Sequence, residues 1–272
     1  MTNRVLPIKN GNNFRDLGGY RTSDGHQVQW HRLLRSGNLA RLDAADQQVL
    51  ADLNLKVDVD LRSPTEMTTA PDHYPAGTSY LANPVFASDE TRSSKGLAGY
   101  GKEADSDPTV GYQHMLQVYE DMVTFESGQA AFAKLFETAL ALPADGSLLF
   151  HCTAGKDRTG LSAALLLLAL GVPLATVRQD YLLSNTTNQA FVDRYLAQIE
   201  REGRSATFRT NFQAVATVNG DYLDRALETI NDRFGGVATY LRDVLQLGAA
   251  DLASLRANFL QAGYNGDTKE GE

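Results

Sequence analysis

The chain has one cysteine, Cys152, among 272 residues. A single thiol excludes an intramolecular disulfide framework and any multi-cysteine metal cluster, and leaves either a packed core thiol or a chemical one. The five histidines, His26, His31, His73, His114 and His151, are scattered without ligand spacing, so no metal and no cofactor are expected. Basic residues are in deficit: 25 Lys and Arg against 33 Asp and Glu give a net charge of −8. That balance speaks against a nucleic-acid partner and means that any anion site is local. No apolar run reaches the ~20 residues a bilayer requires, so no transmembrane segment is expected. The longest run, 161–172, is broken by Ser162 and Gly171 and reads as a buried helix. The first eleven residues carry polar groups and Pro7 in place of an apolar signal core. A cytoplasmic monomer is the expectation, although export without an N-terminal signal would leave no trace.

What is present is an ordinary globular composition, 43% hydrophobic and 21% charged. Asp24-Gly25, between 18–22 and 26–34, signals a hairpin because both residues tolerate positive φ. Asp43 is placed to cap a helix with Val49, Leu50 and Leu53 on its apolar face. The alternation of Val57, Val59 and Leu61 predicts a strand over 56–61, and a second strand is expected over 78–82. Residues 87–108 hold few large apolar side chains and read as a mobile insertion. Helical patterns follow at 109–123 and 128–142, then a short apolar strand at 147–151. Beyond it the chain reads as helical over 158–170, 173–184, 186–201, 219–234, 237–247 and 249–261, with a frayed tail at 263–272. The expected fold is a single α/β domain over 1–272, a mostly parallel central sheet flanked by helices with a lid insertion at 87–127.

The strand at 147–151 runs into His151-Cys152-Thr153-Ala154-Gly155-Lys156-Asp157-Arg158-Thr159-Gly160. Five residues between cysteine and arginine suffice to wrap a loop whose amides converge on one point, with the helix start adding its positive end. Such a nest holds a phosphate dianion. Gly155 permits the tight turn, and the planar fork of Arg158 can grip two equatorial oxygens. A guanidinium at about 4 Å is worth roughly 4 kcal/mol at an effective dielectric of 20, enough to favour a thiolate without a neighbouring base. Taken alone, a cysteine before an apolar helix is ordinarily a small buried hydrophobe. Its neighbours reverse that reading.

The loop resembles that of the cysteine-dependent phosphatases sharing His-Cys-x5-Arg. It is most similar to atypical bacterial tyrosine phosphatases with protein and phosphoinositide activity, whose loop reads His-Cys-x-Ala-Gly-Lys-Asp-Arg-Thr-Gly. Asn13-Phe14-Arg15-Asp16-Leu17-Gly18-Gly19-Tyr20, Arg35-Ser36-Gly37, Asp60-Leu61-Arg62-Ser63 and Asp180-Tyr181-Leu182-Leu183-Ser184-Asn185 stand in that family's order, so the resemblance spans nearly the whole chain. It implies a tyrosine-phosphatase-like fold of the dual-specificity type. It also implies attack on phosphorus by Cys152, with Arg158 and the loop residues Thr153, Ala154, Gly155 and Lys156 holding the substrate, and Thr159 helping the sulfur to leave.

The proton donor is less direct. The only tryptophan, Trp30, is followed by His31, so the Trp-Pro-Asp loop of larger tyrosine phosphatases is absent. Asp157, inside the nest, would be either a protonated acid or a cap of the following helix; the resemblance implies the acid. Asp121, 31 residues before the cysteine, is the runner-up. Lys156 would add a second cation beside Arg158 and favour substrates with more than one phosphate, or else point to solvent. Thr153 is neutral where lipid-selective relatives are basic, so phosphotyrosine proteins are the expected substrates, with phosphoinositides, and phosphoserine or phosphothreonine, besides. His151 is expected to bond the loop backbone. Asp60, Arg62, Arg15 and Asp16 are candidates near the pocket, with a structural ion pair equally open. A non-catalytic phosphate-binding module, a lipid-selective phosphatase, a sulfurtransferase and an arsenate reductase are the competing classes. The last needs a second thiol that this chain lacks.

Overall fold

The computed structural model describes residues 4–263. Five strands form the central sheet: β1 (Arg15–Asp16), β3 (Leu33–Ser36), β6 (Ser147–His151), β4 (Leu55–Asp60) and β5 (Ser79–Ala82), in that spatial order. The pairs β3–β6, β6–β4 and β4–β5 are parallel, and β1 joins the edge antiparallel to β3. Strand β6 is buried along its length, as a near-continuous apolar run requires in a sheet covered on both faces. Side chains alternate across the sheet. Leu33, Leu148 and Phe150 enter the main core, whereas Leu34 and Leu149 enter a second cluster with Leu42, Leu50 and Leu55.

The second cluster lies beneath α1 (Ala44–Asp52), whose Asp43 side chain accepts from the amides of Ala45 and Asp46 as expected of a cap. The main core lies beneath α3 (Val110–Thr124), α4 (Glu126–Leu140) and α5 (Arg158–Ala169). Helix α5 is buried over ten consecutive residues from Arg158, so it is a central helix without a solvent face. Helices α6 (Leu174–Thr187), α7 (Gln189–Arg201), α8 (Ala206–Ala216), α9 (Gly220–Phe234), α10 (Val237–Thr239) and α11 (Ala249–Phe259) follow. Among the described residues, no helix is long and apolar enough to cross a membrane.

The sequence expectations depart from this architecture at its ends and connections. The turn at Asp24-Gly25 forms, with Gly25 at φ +88° and the Thr22 amide bonded to His26. The strand that leaves it, β2 (His26–Val28), pairs over its length with β7 (Leu260–Ala262). The expected helix over 249–261 therefore stops at Phe259, where the chain extends to close this ribbon. The expected helix over 237–247 is the three-residue α10 followed by a π-turn at Tyr240–Val244. Helix α2 (Pro64–Thr69) and α8 were not expected. The insertion at 87–108 carries two 3₁₀ turns, Gly96–Gly99 and Lys102–Asp105. It is packed rather than free-standing: Ala104 is buried with Val192, Ile199, Phe208 and Phe212, and Tyr100 sits 5.4 Å from the Phe208 ring. From 264 onward the expected frayed tail lies outside the described residues.

Candidate active site

The loop from Cys152 to Asp157 joins the carboxyl end of β6 to α5, a position where parallel sheets gather ligands. Its carbonyls are held from outside. Asn38 donates from its amide and its side chain to Thr153 O at 3.1 and 3.2 Å. Asn13 donates to the carbonyls of Ala154 and Gly155 at 3.2 and 2.8 Å, Asn188 to Ala154 at 3.1 Å, and Arg35 to Gly155 at 2.8 Å. With its oxygens engaged from outside, the loop keeps its amides for a guest inside. Gly155 has φ +67°, and a Cβ there would lie 2.4 Å from the Ser36 carbonyl carbon and oxygen. Only glycine fits without displacing β3. Asp157 occupies the cap position of α5, yet its side chain makes no cap hydrogen bond. The helix start therefore remains open to an anion.

Behind the loop, Asp180 of α6 accepts from Arg35 at 2.6 Å and from the Tyr20 hydroxyl at 2.9 Å, and Arg15 lies 3.5 Å away. Burial raises the Asp180 carboxyl, but Arg15 and Arg35 outweigh it and hold the pKa below the ordinary value. Burial and then the Arg35 charge bring Arg15 down to about 10. Arg15 thus supports the loop from behind. Asp16 does not face the loop; it accepts from the amides of Gly18 and His31 and fixes that turn.

Cys152 is 1% exposed and Arg158 is fully buried. Both terminal nitrogens of Arg158 bond Glu66 of α2, at 2.7 and 2.9 Å; one also reaches the Thr91 hydroxyl at 3.2 Å and lies 3.7 Å from Asp89. Burial lowers the Arg158 pKa, but the Glu66 bonds, the Cys152 charge and Asp89 together raise it above its ordinary value. Glu66 is itself fixed: Ser63 donates to it from its amide at 2.9 Å and its hydroxyl at 2.7 Å, and Thr153 donates from its hydroxyl. Burial pushes Glu66 up, and the Arg158, Thr153 and Ser63 bonds bring it down to about 2. The Thr159 hydroxyl is buried without a hydrogen-bond partner.

Lys156 does not stand beside Arg158 as a free substrate cation, nor does it point to solvent. It is 3% exposed and donates to Asp157 at 2.6 Å. The other Asp157 oxygen accepts from Tyr119 at 3.0 Å, and Tyr119 accepts in turn from Tyr181 at 2.8 Å. Asp121 accepts from Gln117 on the exposed side of α3. A cavity of about 490 Å³ opens beside the loop at Thr153 and is lined also by Glu66, Arg62, Asn38, Asp89 and Lys95 among others. Asp89 accepts there from Thr91 and from the Ser94 amide and hydroxyl, at 2.6 to 2.8 Å.

His151 bonds the Cys152 carbonyl through Nδ1 at 3.2 Å, the loop-backbone contact expected of it. Its Nε2 lies 3.3 Å from both Asp58 and Asp72. Burial lowers its pKa, but Asp60, Asp58 and Asp72 raise it well above the ordinary value. Arg62 bonds Asp60 at 2.6 to 3.1 Å and also reaches Asp72, while Tyr80 donates to Asp60 at 2.9 Å. The candidate pair Asp60 and Arg62 is thus a structural network, with Arg62 on the cavity wall. Among the described residues, Asp58, Asp72 and His151 are the group whose ligand atoms are close enough to hold a cation.

Glu66, Asp89, Thr91 and Asn188 are site residues that the sequence did not single out. For Glu66 a signal existed: Ser63-Pro64-Thr65-Glu66 is a capping box with proline in the first turn. Asp89 and Thr91 lie in the low-apolar insertion, where no periodicity marks them.

A family model described as the tyrosine phosphatase family matches residues 6–261. A Cupriavidus necator protein provisionally named a tyrosine-protein phosphatase is 37% identical over 91% of this chain and 85% of its own. The triple specificity protein phosphatase PtpB of Mycobacterium tuberculosis is 30% identical over 85% of this chain and 90% of its own. The solved structure of P. aeruginosa TpbA with phosphotyrosine shares 16% identity over 76% of this chain and 91% of that one, with a TM-score of 0.32.

Proposed function

The chain belongs to the tyrosine phosphatase family, and we propose that this protein-tyrosine phosphatase acts through a phosphocysteine at Cys152, chiefly on phosphotyrosine in proteins and also on phosphoinositides. The observation that carries the reading is the buried fork of Arg158, set by Glu66 beside a loop whose carbonyls are tied outward. That arrangement supplies donors where charge develops on the transferring phosphoryl group, and they need no reorganisation at the moment of reaction.

In the first step the Cys152 sulfur bonds phosphorus, the bond to the ester oxygen breaks, and an acid gives that oxygen a proton. In the second, water attacks phosphorus, gives up its proton to the same carboxylate, and the phosphorus–sulfur bond breaks. In that second step Thr159, whose buried hydroxyl is unpartnered, donates to the departing sulfur. Asp157 serves as the acid in this reading, held by Tyr119 and Lys156. A second reading assigns that role to Asp89, which lines the cavity where Asp157 is fully buried. A proton donor must reach hydrogen-bond distance of the leaving oxygen, which favours the carboxylate on the cavity wall.

The experiment compares the wild type with Cys152→Ser on an aryl phosphate. Turnover falls to background while vanadate binding persists. Retained turnover, or vanadate binding lost together with it in a folded variant, overturns the assignment.

A further inference from the structure

Next to the catalytic loop the sheet gathers three carboxylates around one buried imidazole. Asp58 and Asp60 lie two apart on β4, in register with Leu149 and His151 of β6, so these side chains share one face of the sheet. Asp72 arrives from the connection between α2 and β5. His151 Nε2 lies 3.3 Å from an oxygen of Asp58 and 3.3 Å from one of Asp72, and the ligand atoms of the three residues are within 4.8 Å of one another. Asp58 and His151 are fully buried, yet both Asp58 oxygens and His151 Nε2 are without a hydrogen-bond partner. Polar groups left unpaired at this depth are costly and call for an occupant. The Cys152 carbonyl can only accept, so its bond to Nδ1 puts the hydrogen of a neutral ring there. Nε2 is then a lone pair facing two carboxylates.

We propose that Asp58, Asp72 and His151 form a site for a divalent transition-metal cation of the zinc class. Spacing supports it: a tetrahedral ion with bonds of about 2.0 to 2.1 Å needs ligand atoms about 3.3 Å apart, which is the separation of Nε2 from both carboxylates. Charge supports it as well. Asp58, Asp60 and Asp72 against Arg62 leave two negative charges uncompensated, which a divalent ion neutralises and a single proton on His151 does not. Such a proton also points along one line from the ring and serves one oxygen, whereas two stand equally near. One imidazole nitrogen with carboxylate oxygens suits zinc better than magnesium or calcium, which take oxygen alone. The surroundings are those of held ligands: Nδ1 is fixed on a carbonyl, and Arg62 bonds Asp72 and both oxygens of Asp60. Asp60 itself, with Oδ1 3.9 Å from Nε2, stays outside the ligand set. The histidines show no ligand spacing in the sequence because the three ligands come from three segments. The ion takes no part in phosphoryl transfer; it ties β4, β6 and the Asp72 connection together one residue ahead of Cys152.

Asp72 also lines a surface groove of about 280 Å³ with Tyr74 and Tyr80, whereas Asp58 and His151 are sealed, so the ion must be present while the chain folds. The test uses Cys152→Ser, which removes the catalytic thiolate as a competing zinc ligand. The protein is produced in cells grown with added zinc and dialysed against a weak chelator. Elemental analysis is expected to find one zinc per chain, and stripping with a strong chelator to lower the Tm by roughly 5 °C. Adding Asp58→Asn keeps the shape, removes one ligand charge, and is expected to bring the zinc content to background and make the Tm indifferent to chelator. Asp72→Asn, beside the groove, is expected to do the same, and it decides the matter if the Asp58 variant does not fold. Cys152→Ser without zinc overturns the proposal and leaves a proton as the occupant of Nε2. Zinc retained in full by a folded Asp58→Asn or Asp72→Asn variant also overturns it and places the ion elsewhere on the chain.

Discussion

Glu66 grips Arg158 through both of its oxygens, at 2.7 and 2.9 Å, so the plane of the guanidinium is set by the fold itself. Removing this carboxylate leaves the buried cation with only the Thr91 hydroxyl and the more distant Asp89, on one of its two terminal nitrogens. Glu66→Gln is expected to lower kcat/KM for aryl phosphate by roughly tenfold to a hundredfold, corresponding to about 1.4 to 3 kcal/mol, with kcat affected at least as much as KM. Steady-state kinetics checks it; a rise in KM alone would mean that Glu66 serves binding only.

The same residue gives a pH dependence of stability. The Glu66 carboxyl is held at about 2 against an ordinary 4.5, a difference worth about 3 kcal/mol as an upper figure. Because the folded value is the lower one, this contribution is fully present above pH 4.5 and disappears as the pH falls toward 2. The wild type is expected to lose more stability across that window than Glu66→Gln. Urea unfolding at pH 6, 4 and 3 measures it, and parallel curves for the two proteins would refute it.

The two candidate acids are separable by leaving group. Replacing the true donor slows poor leaving groups, which need a proton, far more than good ones, which do not. If Asp157 is the acid, Asp157→Asn slows phenyl phosphate at least tenfold more than a nitrophenyl phosphate. If the cavity-wall carboxylate is the donor, Asp89→Asn gives that pattern and Asp157→Asn slows both alike.

Asp180 holds two buried arginines, Arg15 and Arg35, the second of which also holds the Gly155 carbonyl. Asp180→Asn keeps the shape and removes the charge. Breaking a buried ion pair costs about 3 to 5 kcal/mol. Thermal or urea denaturation is expected to show a loss of that order, and a change below ~1 kcal/mol would show that the arginines find other partners.

Gly155→Ala places a methyl group 2.4 Å from the Ser36 carbonyl and puts a side chain at φ +67°. The loop must shift away from β3, carrying the amides out of register. Phosphate affinity and turnover are both expected to fall at least tenfold, with secondary structure by circular dichroism unchanged; near-normal turnover would show that the loop relaxes freely.

The sequence made the central part of this molecule legible because that part is local. A five-residue apolar strand, a cysteine-to-arginine spacing and an all-apolar helix are contiguous, and β6 and α5 begin at the residues expected. The cap at Asp43 was equally local. What escaped is what distant segments decide. Strand β7 exists because β2 awaits it 234 residues earlier in the chain, as the Gln27–Gln261 contact records. The pairing of Glu66 with Arg158 spans 92 residues, and the Asp157 carboxylate that takes Lys156 also accepts from Tyr119 of α3, 38 residues away. Charge alone placed Lys156 beside the substrate; its buried surroundings turned it toward its neighbour.

The tethers on the loop carbonyls reach across 142 residues to Asn13, 120 to Arg35, 115 to Asn38 and 34 to Asn188. The decapeptide therefore lacks these holds by itself, and so does any partly folded chain in which β6 and α5 have formed but the first forty residues have not docked. On dilution from denaturant, recovery of enzymatic turnover should trail recovery of helical ellipticity, making activity a reporter of the last long-range closure rather than of the motif.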